Sequence, residues 1–264
     1  MTEQVILAER DGGVLTLTFN RPDKLNAFND AMTSALIEEF RKAERDAGVR
    51  CIVLTGAGRG FSAGQDLGVI VERRQSETPI SIREHLQGGY NVLTTRIRTI
   101  EKPVIAAING VAAGVGLAIA LACDIRVAAD NAVITLGFSK IGLIPDGGSS
   151  FMLPLLVGLG RASELAFTSD RIDAAEAHRL GLVNRVAPAA ELREATAGLA
   201  TQLAGLPTRA IGLTKRAFNH AILPDLAGLL DYESHLQEIA SRSADHKEGV
   251  AAFLEKRQPV FKGE

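Results

Sequence analysis

"KPVIAAINGVAAGVGLAIALACDIRVAAD", residues 102–130, decides the fold. "KPVIAAING" (102–110) is a short apolar run between a proline and an Asn-Gly pair, which reads as a buried strand. "DIRVAAD" (124–130) reads as another. Between them lies a glycine loop whose small residues precede a helix start. A buried strand, a glycine loop, a helix and a second buried strand make a parallel crossover, so the class is α/β. In such folds ligands bind where strands run into glycine loops and helices. The apolar run 110–123 is the longest in the chain, yet too short and glycine-rich to span a membrane.

Working outward, "VRCIVLTG" (49–56) is a further buried strand, and "AVITLG" (132–137) follows 124–130 after a tight turn. "VILAERDGGVLTLTFN" (5–20) alternates around Asp11-Gly12-Gly13 and predicts a β-hairpin. "NDAMTSALIEEFRKAERD" (29–46) sets Met32, Leu36, Ile37 and Phe40 on one helical face. The polar stretch 70–100 predicts a mobile loop in its first half and a helix from about residue 84. Asp173 and Glu176 form a capping box for a helix that Gly181 stops. From about residue 190 the chain reads as helices broken at Pro207 and Pro224. The expected organisation is therefore an α/β core over 1–190 and a helical region over 191–264.

The bulk numbers narrow the function. The chain has 264 residues, 46% of them hydrophobic, with a formal charge of −2 and a pI near 6.2. That balance does not point to nucleic acid. "MTEQVILAERDGG" has no basic segment followed by an apolar one, so no signal peptide is read. Cys51 and Cys123 sit in apolar runs and read as buried free thiols, fitting a reducing cytoplasm. No Cys/His cluster has metal-ligand spacing.

Three features carry chemistry. Gly60-Phe61-Ser62-Ala63-Gly64 matches a nucleophile elbow, but a glycine-rich stretch separates it from the strand ending near Thr55, and no histidine is an obvious triad partner. His178, His220, His235 and His246 read as surface residues, and His85 as the one near a site. Gly114-x-Gly116 resembles the start of a dinucleotide fingerprint, but its third small residue and its ribose acid are misplaced. Asp124 and Asp130 look structural. Taken as a pair, the loops 56–67 and 109–120 each expose backbone N–H groups at a helix start, and two such groups converging on one point make an oxyanion hole. Asp146, in "IGLIPDGGSS" (141–150), is a lone acid among apolar residues and glycines. It reads either as a cap for the helix "SSFMLPLLVGLG" or as a proton-transfer group beside a polarised carbonyl.

"RPDKLNAF", "FSAGQDL", "NGVAAGVGLAIALACDIRVAAD", "GFSKIGLIPDGGSSFMLP" and "AFLEKRQPVF", in order along nearly the whole chain, resemble the crotonase (enoyl-CoA hydratase/isomerase) superfamily. The resemblance implies a crotonase-like ββα spiral with a C-terminal helical trimerisation region. It implies acyl-CoA substrates, no cofactor beyond the CoA that the substrate carries, and a homotrimer or a dimer of trimers in the cytoplasm, without nucleic-acid or membrane partners. It places oxyanion N–H groups at Gln65 and Val115, and CoA contacts at Lys24, Leu25, Ala27, Ala63, Asp66 and Leu67. As cations for the CoA phosphates, Lys24 comes first, with Lys256 and Arg257 next. Hydratases of the superfamily use two glutamates where this chain has Ala118 and Gly137, so the resemblance favours isomerisation by Asp146 alone. A dehalogenase branch has an Asp at that position but relies on aromatic and histidine support, and this chain has no Trp. The motifs are most similar to the branch that isomerises the ring 1,2-epoxide of phenylacetyl-CoA and shifts 3-enoyl double bonds to position 2. A hydratase, a serine hydrolase and a non-catalytic binding protein are the competing readings.

Overall fold

The structure is a computed structural model and describes residues 4–68, 81–222 and 225–262. The predicted mobile loop and the Pro224 break fall mainly or wholly outside these residues.

The chain opens with the expected hairpin, β1 (Ile6–Asp11) and β2 (Val14–Phe19), paired in register from Ile6↔Phe19 to Asp11↔Val14. Gly12 supplies the positive φ that the two-residue turn needs. Asn29 caps α1 (Asp30–Arg45) by accepting the Met32 N–H, and Met32, Leu36, Ile37 and Phe40 are buried along one face. β3 (Cys51–Gly56) then pairs parallel to β2, and β4 (Gly60–Ser62) leaves for a second sheet.

After α2 (Ile82–Gly88) and α3 (Tyr90–Thr99), the alternation repeats. β5 (Val104–Ile108) joins the first sheet and β6 (Val111–Ala113) the second. The sequence predicted one strand over 102–110. The chain turns instead at Asn109, whose amide donates to the carbonyls of Gly56 and Gly58. A side chain on Gly110 would meet the Arg59 carbonyl. Next come α4 (Gly114–Ala122), β7 (Ile125–Ala129) in the first sheet and β8 (Val133–Thr135) in the second. Each repeat thus gives one strand to each sheet, which is the winding of a ββα spiral. The six-stranded sheet runs β1-β2-β3-β5-β7-β10 and the four-stranded one β4-β6-β8-β9.

α4 is apolar all round and is buried along nearly its whole length between the spiral's layers. α5 (Ser149–Val157), α6 (Leu159–Thr168), β9 (Ile172–Asp173), α7 (Ala174–Arg179) and β10 (Arg185–Ala187) complete the spiral. Asp173 caps α7 through the Glu176 N–H, as predicted.

The C-terminal helices are α8 (Leu192–Gly205), α9 (Thr208–Ile222), α10 (Leu226–Ser241) and α11 (Ala244–Leu254). α8 lays Leu192, Leu199, Ala200 and Ala204 over Cys51, Val53, Ile105 and Val127, covering the outer face of the larger sheet. Asp124 accepts the Val104 N–H and pairs with Lys215 at 2.8 Å, tying α9 to the spiral. Cys51 and Cys123 are free and buried, and burial pushes both thiols up to about 12, so they are unreactive core residues. Among the described residues no helix is long and apolar enough to cross a membrane.

Candidate active site

"RPDKLNAF" and "FSAGQDL" are fastened strand-like to each other. Ala63 N donates to Leu25 O (2.9 Å), Phe28 N to Gly64 O (2.7 Å) and Asp66 N to Phe28 O (2.9 Å). Leu25 and Asn26 both have positive φ. The buried Asn26 side chain stabilises that turn by accepting from Arg21 N and donating to the Ala57 and Gly60 carbonyls. Arg21 completes the clasp, donating to Ala27 O and pairing with Asp66 at 2.9 Å. The structure therefore brings Leu25, Ala27, Ala63 and Asp66 together, with Leu67 following directly. It gives the Asp66 carboxylate a partner of its own. Lys24 ends the 3-10 turn Pro22–Lys24 on the surface of the same loop. Lys256 is exposed just beyond α11, with no hydrogen bond or ion pair among the described residues joining it to this loop. Arg257 is held by Glu248 and Glu255.

In the Phe28–Gln65 bridge both hydrogen bonds belong to Phe28, so the Gln65 N–H points away from the pairing. The Gln65 side chain accepts from Tyr90 Oη and lies 3.3 Å from His85 Nε2. His85 thus stands at this loop, as predicted. The second loop reaches the first through glycine. Gly64 has φ +95°, and a Cβ there would lie 3.0 Å from Ala113 O. Val115 is in the first turn of α4, where the helix offers its amides no acceptor and its dipole is positive. Gly114 N is taken by Leu136 O.

Asp146 reaches this region through Gly147. A Cβ on Gly147 would sit 3.2 Å from Ala118 Cβ and 3.9 Å from Val115 Cγ2. Asp146 is only 6% exposed. Gln237 Nε2 donates to its Oδ2 at 2.7 Å, while its buried Oδ1 has no hydrogen-bond partner among the described residues. Burial pushes its pKa up to about 7, against the Gln237 hydrogen bond, with Glu233 adding to the rise.

The capping reading of Asp146 fails. Gly147 and Gly148, at φ +61° and +84°, turn the chain between Asp146 and α5, and Gly148 is the N-cap with no side-chain bond of its own. The amides of Gly148 and Ser150 go to Glu233 on α10, at 2.8 and 3.2 Å, and so does the Ser150 hydroxyl. Glu233 and Gln237 were not read from the sequence. Their spacing of four on a helix put them on one face, but nothing local reported that this face meets residues 144–150.

Ser62 is fully buried at the end of β4 and accepts the Gly64 N–H at 3.2 Å, in keeping with the reading against an elbow nucleophile. One histidine expectation is corrected. His246 is buried, not on the surface: α11 packs it beneath the Ser139–Ile141 turn, with Nδ1 2.5 Å from Ile141 O. Its charged neighbours occupy the helix's other face.

The spiral thus holds Asp146 on a loop packed against the first turns of α4. Residues 9–264 match the family model for enoyl-CoA hydratase/isomerase, and the chain belongs to that family of enzymes, within the crotonase superfamily. It is 44% identical over 262 residues to a 1,2-epoxyphenylacetyl-CoA isomerase of Escherichia coli, covering 98% of this chain and 99% of the relative. It is 38% identical to a probable enoyl-CoA hydratase of Rhodobacter capsulatus, covering 100% of both. A solved enoyl-CoA hydratase/isomerase of Pseudoalteromonas atlantica superposes with a TM-score of 0.87 at 33% identity, over 98% of this chain and 100% of that one.

Proposed function

We propose that the protein is an acyl-CoA isomerase in which one carboxylate, Asp146, moves a proton between two carbons beside the CoA thioester. The observation that carries this reading is the state of that carboxylate: buried, one oxygen held, the other unpartnered, on a loop packed against Val115 and Ala118. The thioester oxygen is received by the Gln65 and Val115 N–H groups. Asp146 takes a proton from C2 of a 3-enoyl chain. The electron pair delocalises into a dienolate whose oxygen the two amides stabilise, each donor contributing roughly 3–4 kcal/mol. The same proton returns at C4, giving the 2-enoyl thioester with no net change in atoms or charge. A base near pKa 7 is suited to proton exchange at neutral pH. The CoA moiety is assigned to Lys24, Leu25, Ala27, Ala63, Asp66 and Leu67, with Lys256 as a second cation for its phosphates. The 44% identical relative supports a ring-epoxide substrate, rearranged to the oxepin, alongside 3-enoyl-CoA.

Hydration is the second reading, favoured by the names of several relatives. It needs two acids to split water across the double bond. Ala118 and Gly137 carry none. Glu233 is buried near Asp146, but its oxygens are engaged by Gly148 and Ser150. A panel of epoxide, 3-enoyl and 2-enoyl thioesters, with products identified by mass, separates the readings. Unchanged mass supports isomerisation, and addition of water to the 2-enoyl substrate as the main reaction refutes it. Asp146→Asn should lower isomerisation by about 10²–10⁴-fold with acyl-CoA binding retained.

A further inference from the structure

We propose that Gln237, on α10, is the positioning residue that presents Asp146 as a base, holding one carboxylate oxygen so that the other faces substrate. The inference rests on the assignment of Asp146 above. Ile144 fixes which way the Gln237 amide points. Ile144 N can only donate, and it lies 3.0 Å from Gln237 Oε1. The Nε2 end therefore faces Ile144 O at 3.0 Å and Asp146 Oδ2 at 2.7 Å. Nε2 has two hydrogens, and both are used. The amide cannot swing away or turn an acceptor toward the acid without breaking the pair with Ile144. It donates to Oδ2, which favours the ionised acid, and leaves Oδ1 as the unpartnered oxygen.

The ionisable groups on the elements packed against this loop are few among the described residues. Glu233 lies one turn before Gln237 on α10 and raises the Asp146 pKa. His246, on α11, bonds Ile141 at the loop's far end. α3 and α4 approach Gly147 with Thr94, Val115 and Ala118, none of which is charged. Among the described residues, Gln237 is thus the side chain that bonds directly to the Asp146 carboxylate.

Gln237→Met keeps the bulk and removes the donor. On a 3-enoyl-CoA substrate the acidic limb of kcat/KM should move up by about one pH unit, and kcat at pH 7 should fall about fivefold, recovering near pH 9. KM should stay within about twofold, because the N–H donors for the carbonyl lie elsewhere. A loss equal at every pH, or a limb that does not move, overturns the proposal. A measurement that leaves Gln237 in place guards against a variant that does not fold. In protein labelled with ¹⁵N-glutamine, one side-chain amide resonance should titrate with the kinetic midpoint and become flat in Asp146→Asn. If no glutamine amide behaves so, Gln237 does not hold the base. An active Asp146→Asn would instead refute the base itself, so the two failures are distinguishable.

Discussion

Asp146 holds its proton some three pH units longer in the folded protein than in an ordinary chain, from 3.8 to about 7. The raised pKa fixes the sign of its effect on stability. Below about pH 4 the acid is neutral in both states and its burial is tolerated. As pH rises toward 7 the unfolded state ionises first, and stability is lost progressively until the folded carboxyl also ionises. Above that the burial penalty is constant, on the order of 4 kcal/mol at about 1.36 kcal/mol per pH unit. Asp146→Asn should therefore melt close to wild type near pH 4 and several degrees higher at pH 8, as calorimetry would show, while losing turnover. Equal melting differences at both pH values would mean that the acid is not strained by burial. For the wild type, kcat/KM on a 3-enoyl substrate should rise through about pH 7, since the ionised form is the base. A flat profile from pH 5 to 9 would contradict this. Asp146, Gln65 and Val115 could be proposed from the sequence because each stands in a short contiguous motif. Gln237 and Glu233 could not, because a polar residue on a helix reads as solvated until the tertiary contact is known.

Among the elements, α4 packs tightly against β4. A Cβ on Gly116 would lie 2.6 Å from Ser62 Cβ and 2.8 Å from Ser62 O, with no flexible side chain to give way. Gly116→Ala should destabilise by about 1–3 kcal/mol, as overpacked cores do, and displace the first turn of α4, lowering kcat. Gly198 lies within α8 with nothing within 4 Å of its Cβ position. Gly198→Ala should instead stabilise by roughly 0.5–1 kcal/mol. Thermal melts of the two variants test the joint, and similar shifts would show that Gly116 is not a contact point. Element identity was largely legible: the hairpin turn at Gly12-Gly13 and the Asn29 and Asp173 caps act locally. The break between β5 and β6 was not. The Asn109 bonds that divide them come from residues more than fifty positions earlier in the chain, and apolar periodicity does not register such a bond.

Across the whole molecule, the C-terminal helices turn apolar side chains outward. Phe218 is 61% and Phe253 62% exposed, and Tyr232 and Ile239 are exposed on α10. Leu230, also on α10, is buried within its own chain. So large an outward apolar set on single helices is the mark of a surface meant to be covered, and we expect trimers or pairs of trimers. Light scattering at micromolar concentration should give a multiple of three chains, and Phe218→Glu with Phe253→Glu should lower the mass. A wild-type monomer would refute this. The sequence shows the apolar residues of these helices but not which of them the chain buries against itself. α10 is different in kind: its inward face is polar, with Glu233, Ser234 and Gln237 buried. Its partners at residues 144–150 precede it by more than eighty positions. During synthesis the spiral, with both glycine loops, leaves the ribosome well before α10 can dock. The nascent spiral can therefore form both glycine loops while Asp146 still lacks its Gln237 hydrogen bond. The Gln237 bond to the Asp146 carboxylate is therefore completed only after α10 has been made and has docked.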